Sequence, residues 1–142
     1  MATFASDYAF GTANEIPAMA KLEKFLETKL IRRGGKHVID YDNNDKIFAE
    51  IKTRRIHSKE HRTTLVGANK VDEAKNNPGK TYWFFYDYTD GLYGIKYNEE
   101  KFRKYERGEF TRGAREDYHN RPQEVVFIPI RDLMPIFCQP LV

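Results

Sequence analysis

Cysteine is nearly missing: Cys138 is the only one among 142 residues. A single thiol excludes a disulfide framework and a cysteine-based zinc centre, and it suits a reducing compartment. Long apolar runs are missing as well. No stretch approaches the roughly 18 residues that a membrane-spanning helix requires, and the opening MATFASDYAF carries an acid and no basic leader. No internal repeat, low-complexity tract or linker-like run interrupts the chain. These absences give the expectation of a soluble intracellular protein without a membrane partner, folded as a single domain over residues 1–142. Hydrophobic residues make up 40% of the chain and aromatics 14%, enough for a packed core.

Excess charge is also small, +3 in total, and by itself implies nothing about partners. Its distribution says more. From Lys52 to Arg62 the chain carries Lys52, Arg54, Arg55, Lys59 and Arg62, with His57 and His61, against the single acid Glu60. A second basic stretch, Lys101 to Arg115, is diluted by Glu106 and Glu109. Phosphate is the natural partner of the first strip. His57 and His61 have no third nitrogen or sulfur ligand beside them and read as surface residues.

The apolar spacing of Ile16, Met19, Leu22, Phe25, Leu26 and Leu30 predicts an amphipathic helix. Asn14 and Pro17 suit its entry; Gly34 and Gly35 stop it after Arg32 and Arg33. VIDYDNNDKIFAEIKTRR then alternates like a hairpin. HRTTLVGANKVDEAKNNPGK predicts a second, modest helix using Leu65, Val66, Val71 and Ala74, interrupted by Gly67. TYWFFYDY reads as a central buried strand, and TDG turns it into LYGIKY. Residues 98–121 are mixed; EVVFIPI is a late strand and RDLMPIF a final helical turn. The expected order is α-β-β-α-β-β-β, an α/β domain with a mixed central sheet flanked by helices.

Within the hairpin, Glu50 and Lys52 share one face of their strand, and Ile47, Ala49 and Ile51 share the other. A two-residue turn at Asn43-Asn44 would set Asp40 opposite Ile47, on the buried face. A three-residue turn, Asn43-Asn44-Asp45, sets it opposite Phe48 and diagonal to Glu50, and asparagine tolerates the left-handed backbone such a turn needs. Diagonal neighbours are about 7–8 Å apart, within reach of one shared ion. Two carboxylates beside a lysine suit a hard divalent cation, Mg²⁺ or Mn²⁺, held by oxygen ligands and substrate phosphate. Acid-x-Lys triplets also occur at Glu27, Glu73 and Glu99. Only Glu50-Ile51-Lys52 lies inside an alternating strand with an aspartate on its hairpin partner.

Those residues resemble the signature of the PD-(D/E)XK nuclease superfamily: an Asp on one strand, then Glu-x-Lys on the next, after an amphipathic helix. The likeness covers residues 11–76. It implies a restriction-endonuclease-like α/β core and metal-dependent hydrolysis of phosphodiesters, as in restriction and some homing endonucleases, Holliday-junction resolvases and repair nucleases. By this resemblance Asp40 and Glu50 are metal ligands, and Lys52 is the catalytic base or electrostatic helper. The family pattern has three strands before its second helix, whereas two are legible here. GTANE, with Glu15, resembles the helix entry of resolvase-like branches, which makes Glu15 a further metal ligand; an acid in a helix's first turn is also favoured by the helix dipole. Asp42 is the alternative ligand, or a turn residue. Asn69 and Lys70 fall where the superfamily often places an additional site residue.

Phosphate contacts are expected from Arg54, Arg55, Lys59, Arg62 and Lys70. The aromatics from Tyr82 to Tyr88 read as core, and Arg112, Arg115 and Arg121 as a DNA-facing or solvent loop. The functional expectation is a Mg²⁺-dependent DNA endonuclease of restriction or homing type, cutting as a homodimer or higher oligomer, since one active site handles one strand. A structure-selective nuclease such as a junction resolvase, and a non-catalytic DNA-binding module, are the alternatives.

Overall fold

The structure, a computed structural model, describes residues 17–34, 37–44, 46–111 and 122–138, leaving aside the side chains of 137 and 138. Helix α1 spans residues 17–26. It is followed by β1 (Ile31–Arg32), β2 (Tyr41–Asp42), β3 (Ile47–Thr53), β4 (Thr63–Gly67), α2 (Ala68–Lys75), β5 (Thr81–Tyr88) and β6 (Gly91–Lys96). Then come α3 (Glu99–Phe102), β7 (Arg107–Phe110), β8 (Gln123–Pro129), a 3₁₀ turn (Ile130–Asp132) and β9 (Met134–Cys138). The fold is mixed α/β. A six-stranded sheet runs β1-β2-β3-β5-β6-β9, and a three-stranded sheet runs β4-β8-β7. Among the described residues, only β3 and β5 pair in parallel; every other ladder is antiparallel.

Alternation along β3 and β5 feeds two cores. Ala49, Ile51, Phe85 and Leu92 pack with Tyr41 against Ala18 and Leu22 of α1. On the other face Tyr82, Phe84, Tyr86 and Ile95 meet Val71 and Ala74 of α2 and Val126 and Ile128 of the small sheet. The large sheet is therefore covered on both sides, which is why TYWFFYDY reads as an almost unbroken apolar run.

Several elements depart from the expectations. Helix α1 stops at Leu26, well before Gly34, because Glu27 takes a left-handed φ of 57°. Thr28 N–H then reaches back to Glu23 O at 3.2 Å, and the Glu23 carboxylate accepts Leu30 N–H at 2.7 Å, closing the helix end. The freed chain forms β1, pairing Ile31 with Asp42 and Arg32 with Tyr41. Leu30 has helical spacing, yet its N–H goes to the Glu23 carboxylate and the two residues after it pair with β2. The expected N-cap Asn14 lies outside the described residues, as do Arg112, Arg115 and Arg121.

Residues 63–67 are a strand rather than the start of the second helix. Thr64 and Val66 are buried in alternation, and β4 pairs with β8. Gly67 ends the strand and caps α2. The mixed segment contains α3, capped by Asn98 Oδ1 on Lys101 N–H at 2.9 Å, and β7. The last segment is a 3₁₀ turn followed by β9, which lies at a sheet edge where Pro135 is tolerated. No helix of the described residues is long and apolar enough to cross a membrane.

Candidate active site

Strand β3 carries Phe48, Glu50 and Lys52 on its α2 face. Its partner β2 pairs Tyr41 with Ala49 and Asp42 with Phe48. Continuing that register by one residue sets Asp40 across from Glu50, and Asp40 N–H donates to Glu50 Oε1 at 2.8 Å. This corrects the expected register: Asp40 directly faces Glu50 instead of lying diagonal to it. The cause is the turn, which begins one residue later. Asn43 N–H still bonds Ile47 O at 3.1 Å, Asn43 Oδ1 accepts from Lys46 and Ile47 N–H, and Asn44 takes the left-handed φ of 63°. Both alignments keep the two acids on one face.

The backbone of Asp40 is held from both neighbours, since Arg33 N–H donates to its carbonyl at 2.6 Å. The Asp40 side of the pair is exposed, whereas the Glu50 side chain is only 12% exposed. Asp42 is committed elsewhere. It is buried, accepts Arg33 Nε and Nη2 at 3.0 and 2.9 Å, and accepts Asn44 N–H at 2.7 Å. The Arg33 hydrogen bonds hold its carboxyl below the usual range. Of its two expected roles, the turn residue is the one its contacts occupy.

Helix α2 completes the arrangement. Ala68, Val71 and Ala74 point into the core, which turns Lys70 toward the β3 face. Its ammonium lies 2.6 Å from Glu50 Oε2. Burial pushes the Glu50 carboxyl up, and that effect outweighs the lowering by Lys70 and by Asp40 N–H. Glu50, Lys52 and Lys70 line a small cleft with Gly67 and Tyr86, holding about 30 Å³ of free space. That is room for a water or an ion. Tyr86 closes its floor: it is fully buried, its hydroxyl donates to Leu65 O at 3.0 Å, and burial raises its pKa, so it stays a neutral phenol.

Of the expected phosphate contacts, Arg54, Arg55, Lys59 and Arg62 lie on the loop joining β3 to β4, directly beyond Lys52. Arg54 is half-buried and the other three are exposed. The loop is pinned to the β5–β6 turn. Ser58 N–H and Oγ donate to Asp90 Oδ1 and Oδ2 at 2.8 and 2.7 Å, and Tyr93 OH donates to Oδ2 at 2.7 Å. Burial alone would push Asp90 up, but these hydrogen bonds together hold it down at about 2. His57 and His61 are exposed; His57 Nδ1 accepts Lys59 N–H at 3.1 Å, and its Nε2 is 3.8 Å from Asp90. Glu15 lies outside the described residues.

Among the described residues no three His, Cys, Asp or Glu side chains converge. The donors present are Asp40 and Glu50, a pure oxygen set contributed by adjacent strands. That set fits Mg²⁺ or Mn²⁺, which one or two carboxylates hold while several waters and a phosphate complete the shell. Sequence reasoning missed the Arg33–Asp42 pair and the Asp90 clamp. Arg33 looked like the end of a helix, and Asp90 like a turn residue. Comparison with protein-family models finds none that matches, and comparison with curated proteins finds no similar sequence.

Proposed function

We propose that the chain is a divalent-metal-dependent DNA endonuclease of PD-(D/E)XK type, acting as a homodimer. The observation that carries this reading is Asp40 facing Glu50 across the β2–β3 pair, with Lys52 on the same face of β3 in a lined cleft. Helix α1, the antiparallel β1-β2-β3 ribbon, and α2 leading into β5 parallel to β3 support a restriction-endonuclease-like core. Strand β1 makes the ribbon three-stranded, as in the family pattern, while β4, which precedes α2 and belongs to the small sheet, departs from it.

Asp40 and Glu50 would hold the ion, which lowers the pKa of a bound water and neutralises charge on the phosphodiester. Lys52 places an ammonium on that face, where charge develops on the phosphoryl oxygens during attack. Arg54, Arg55, Lys59 and Arg62, on the adjoining loop, hold the DNA backbone and set the register of the strand over the cleft. The clamp on Asp90 orders that loop before DNA arrives, so less entropy is lost on binding.

The Lys70–Glu50 ion pair favours a second reading, a DNA-binding module in which Glu50 is only a buried counterion. Plasmid cleavage separates the two. The wild-type chain should nick or cut supercoiled DNA in Mg²⁺ and not in EDTA, and Asp40→Asn and Glu50→Gln should each remove cleavage. DNA binding without Mg²⁺-dependent cleavage on plasmid or branched substrates would leave the binding module standing.

A further inference from the structure

Lys70 is usually the kind of residue assigned to solvent: one lysine in a helix whose buried face is Ala68, Val71 and Ala74. Here its ammonium lies 2.6 Å from Glu50 Oε2, with 27% of the lysine side chain and 12% of the glutamate exposed. Glu50 Oε1 is occupied by Asp40 N–H at 2.8 Å. Both oxygens of the more buried acid are thus already engaged, one of them by a full positive charge. A divalent cation approaching Glu50 meets that charge at ion-pair distance, in a cleft with room for about one water or ion.

We propose that Lys70 is the resident counterion of the carboxylate pair, which leaves Glu50 when a divalent ion arrives and then contacts the DNA phosphate. This rests on the metal-binding reading of Asp40 and Glu50. The charge balance explains why such a residue belongs there. A buried carboxylate without a partner is costly, and the exposed Asp40 adds a second negative charge beside it. Lys70 offsets that repulsion in the metal-free protein. An ion of charge +2 on the same acids would repel the ammonium, and the long flexible lysine stem lets it move without disturbing α2. The nearest favourable partner for the displaced ammonium is the phosphate that the cleft is proposed to hold.

The exchange makes two predictions that a simple structural ion pair does not. First, Lys70 opposes metal binding. Lys70→Gln keeps a hydrogen-bond donor near Glu50 and removes the charge, and it should bind Mn²⁺ about tenfold more tightly, the scale on which one neighbouring charge alters a carboxylate's affinity for a cation. Binding is read by calorimetry or by the Mn²⁺ resonance signal, with Glu50→Gln as the control that loses the site. Lys70→Met, which removes the donor too, should shift affinity in the same direction. Second, Lys70 contributes to DNA affinity only once the acids hold an ion. In Ca²⁺, Lys70→Gln should flatten the salt dependence of log affinity by about 0.9, one phosphate contact; in EDTA the slope should not change.

Unchanged or weaker Mn²⁺ binding by Lys70→Gln, in a variant with native circular dichroism, would overturn the exchange while leaving the metal site intact. So would a slope change that is equal in Ca²⁺ and EDTA, or zero in both. If neither the wild type nor Lys70→Gln binds Mn²⁺ at millimolar concentration, the metal-binding reading falls and takes this inference with it.

Discussion

Lys52 and Lys70 reach the same cleft from different elements, β3 and α2, and substitution should separate their roles. A lysine placed over the scissile phosphate acts chiefly where charge changes most, in the transition state. Lys52→Ala should therefore lower single-turnover cleavage by about two to three orders of magnitude, the size of losing one preorganised electrostatic donor. Affinity for DNA in Ca²⁺ should fall only slightly if, as proposed, Arg54, Arg55, Lys59 and Arg62 hold the backbone. Lys52→Arg should not restore the rate, since a planar guanidinium does not replace a compact ammonium beside a metal-bound water. Equal losses in binding and cleavage would make Lys52 one more phosphate contact. Asp90 gives a pH signature at the same scale. Its folded value of about 2 lies below the unfolded value of about 3.9. The stabilisation it supplies is complete above that unfolded value and disappears as pH falls toward about 2. Thermal unfolding of Asp90→Asn should lose that part of the acid sensitivity, so the wild-type and variant curves should converge as pH drops from about 4 to 2.

Among the elements, β3, β5, β6 and β8 were legible because alternation or an apolar run with a turn signal marks each of them. The hairpin that brings the acids together was legible in kind, and its turn was misplaced by one residue. Local pattern says little about which asparagine turns, since Asn43 and Asn44 both suit a turn and only their side-chain hydrogen bonds decide. Strand β1 and the early end of α1 were hidden for another reason. Leu30 continues the helical spacing, and nothing local announces that Glu27 will adopt a left-handed backbone. That conformation costs a non-glycine residue about 1 kcal/mol. Glu27→Gly should therefore stabilise the fold by about that amount, read as a raised denaturant midpoint with unchanged slope. Strand β4 is hidden because Leu65 and Val66 also fit a helical face; its pairing with β8, across more than fifty residues of sequence, overrides the local pattern. The Asp40–Glu50–Lys52 constellation was readable because strand alternation alone fixes its face. The partner of Lys70 is not legible in the sequence, because the angle at which α2 crosses β3 is a tertiary property.

For the whole molecule, the two faces of the six-stranded sheet are divided by role. Helix α1 seals one face with an apolar layer, while the other combines packing with the cleft between β3 and α2. On the proposed reading, one such cleft acts on one strand, and cutting both DNA strands requires two copies. Nicking of plasmid should then rise in proportion to protein concentration, and linearisation as its square when protein is dilute. Linearisation that stays proportional to nicking at concentrations where the chain sediments as a monomer would point to one chain acting twice. The two acids also differ in mechanical footing. Glu50 rides on a seven-residue strand bonded on both sides, whereas Asp40 lies in the bend just before a two-residue strand. Amide hydrogens of β3 should accordingly exchange with solvent at the rate of global unfolding, and those around Asp40 much faster, by local opening. An ion bridging the two would staple the loose edge to the rigid centre. On the proposed reading, Mn²⁺ or Ca²⁺ should slow exchange around Asp40 and β2, because local opening there then has to release the ion, and should slow β3 as well by raising the global stability. Exchange around Asp40 that ignores the ion would count against a bridged pair.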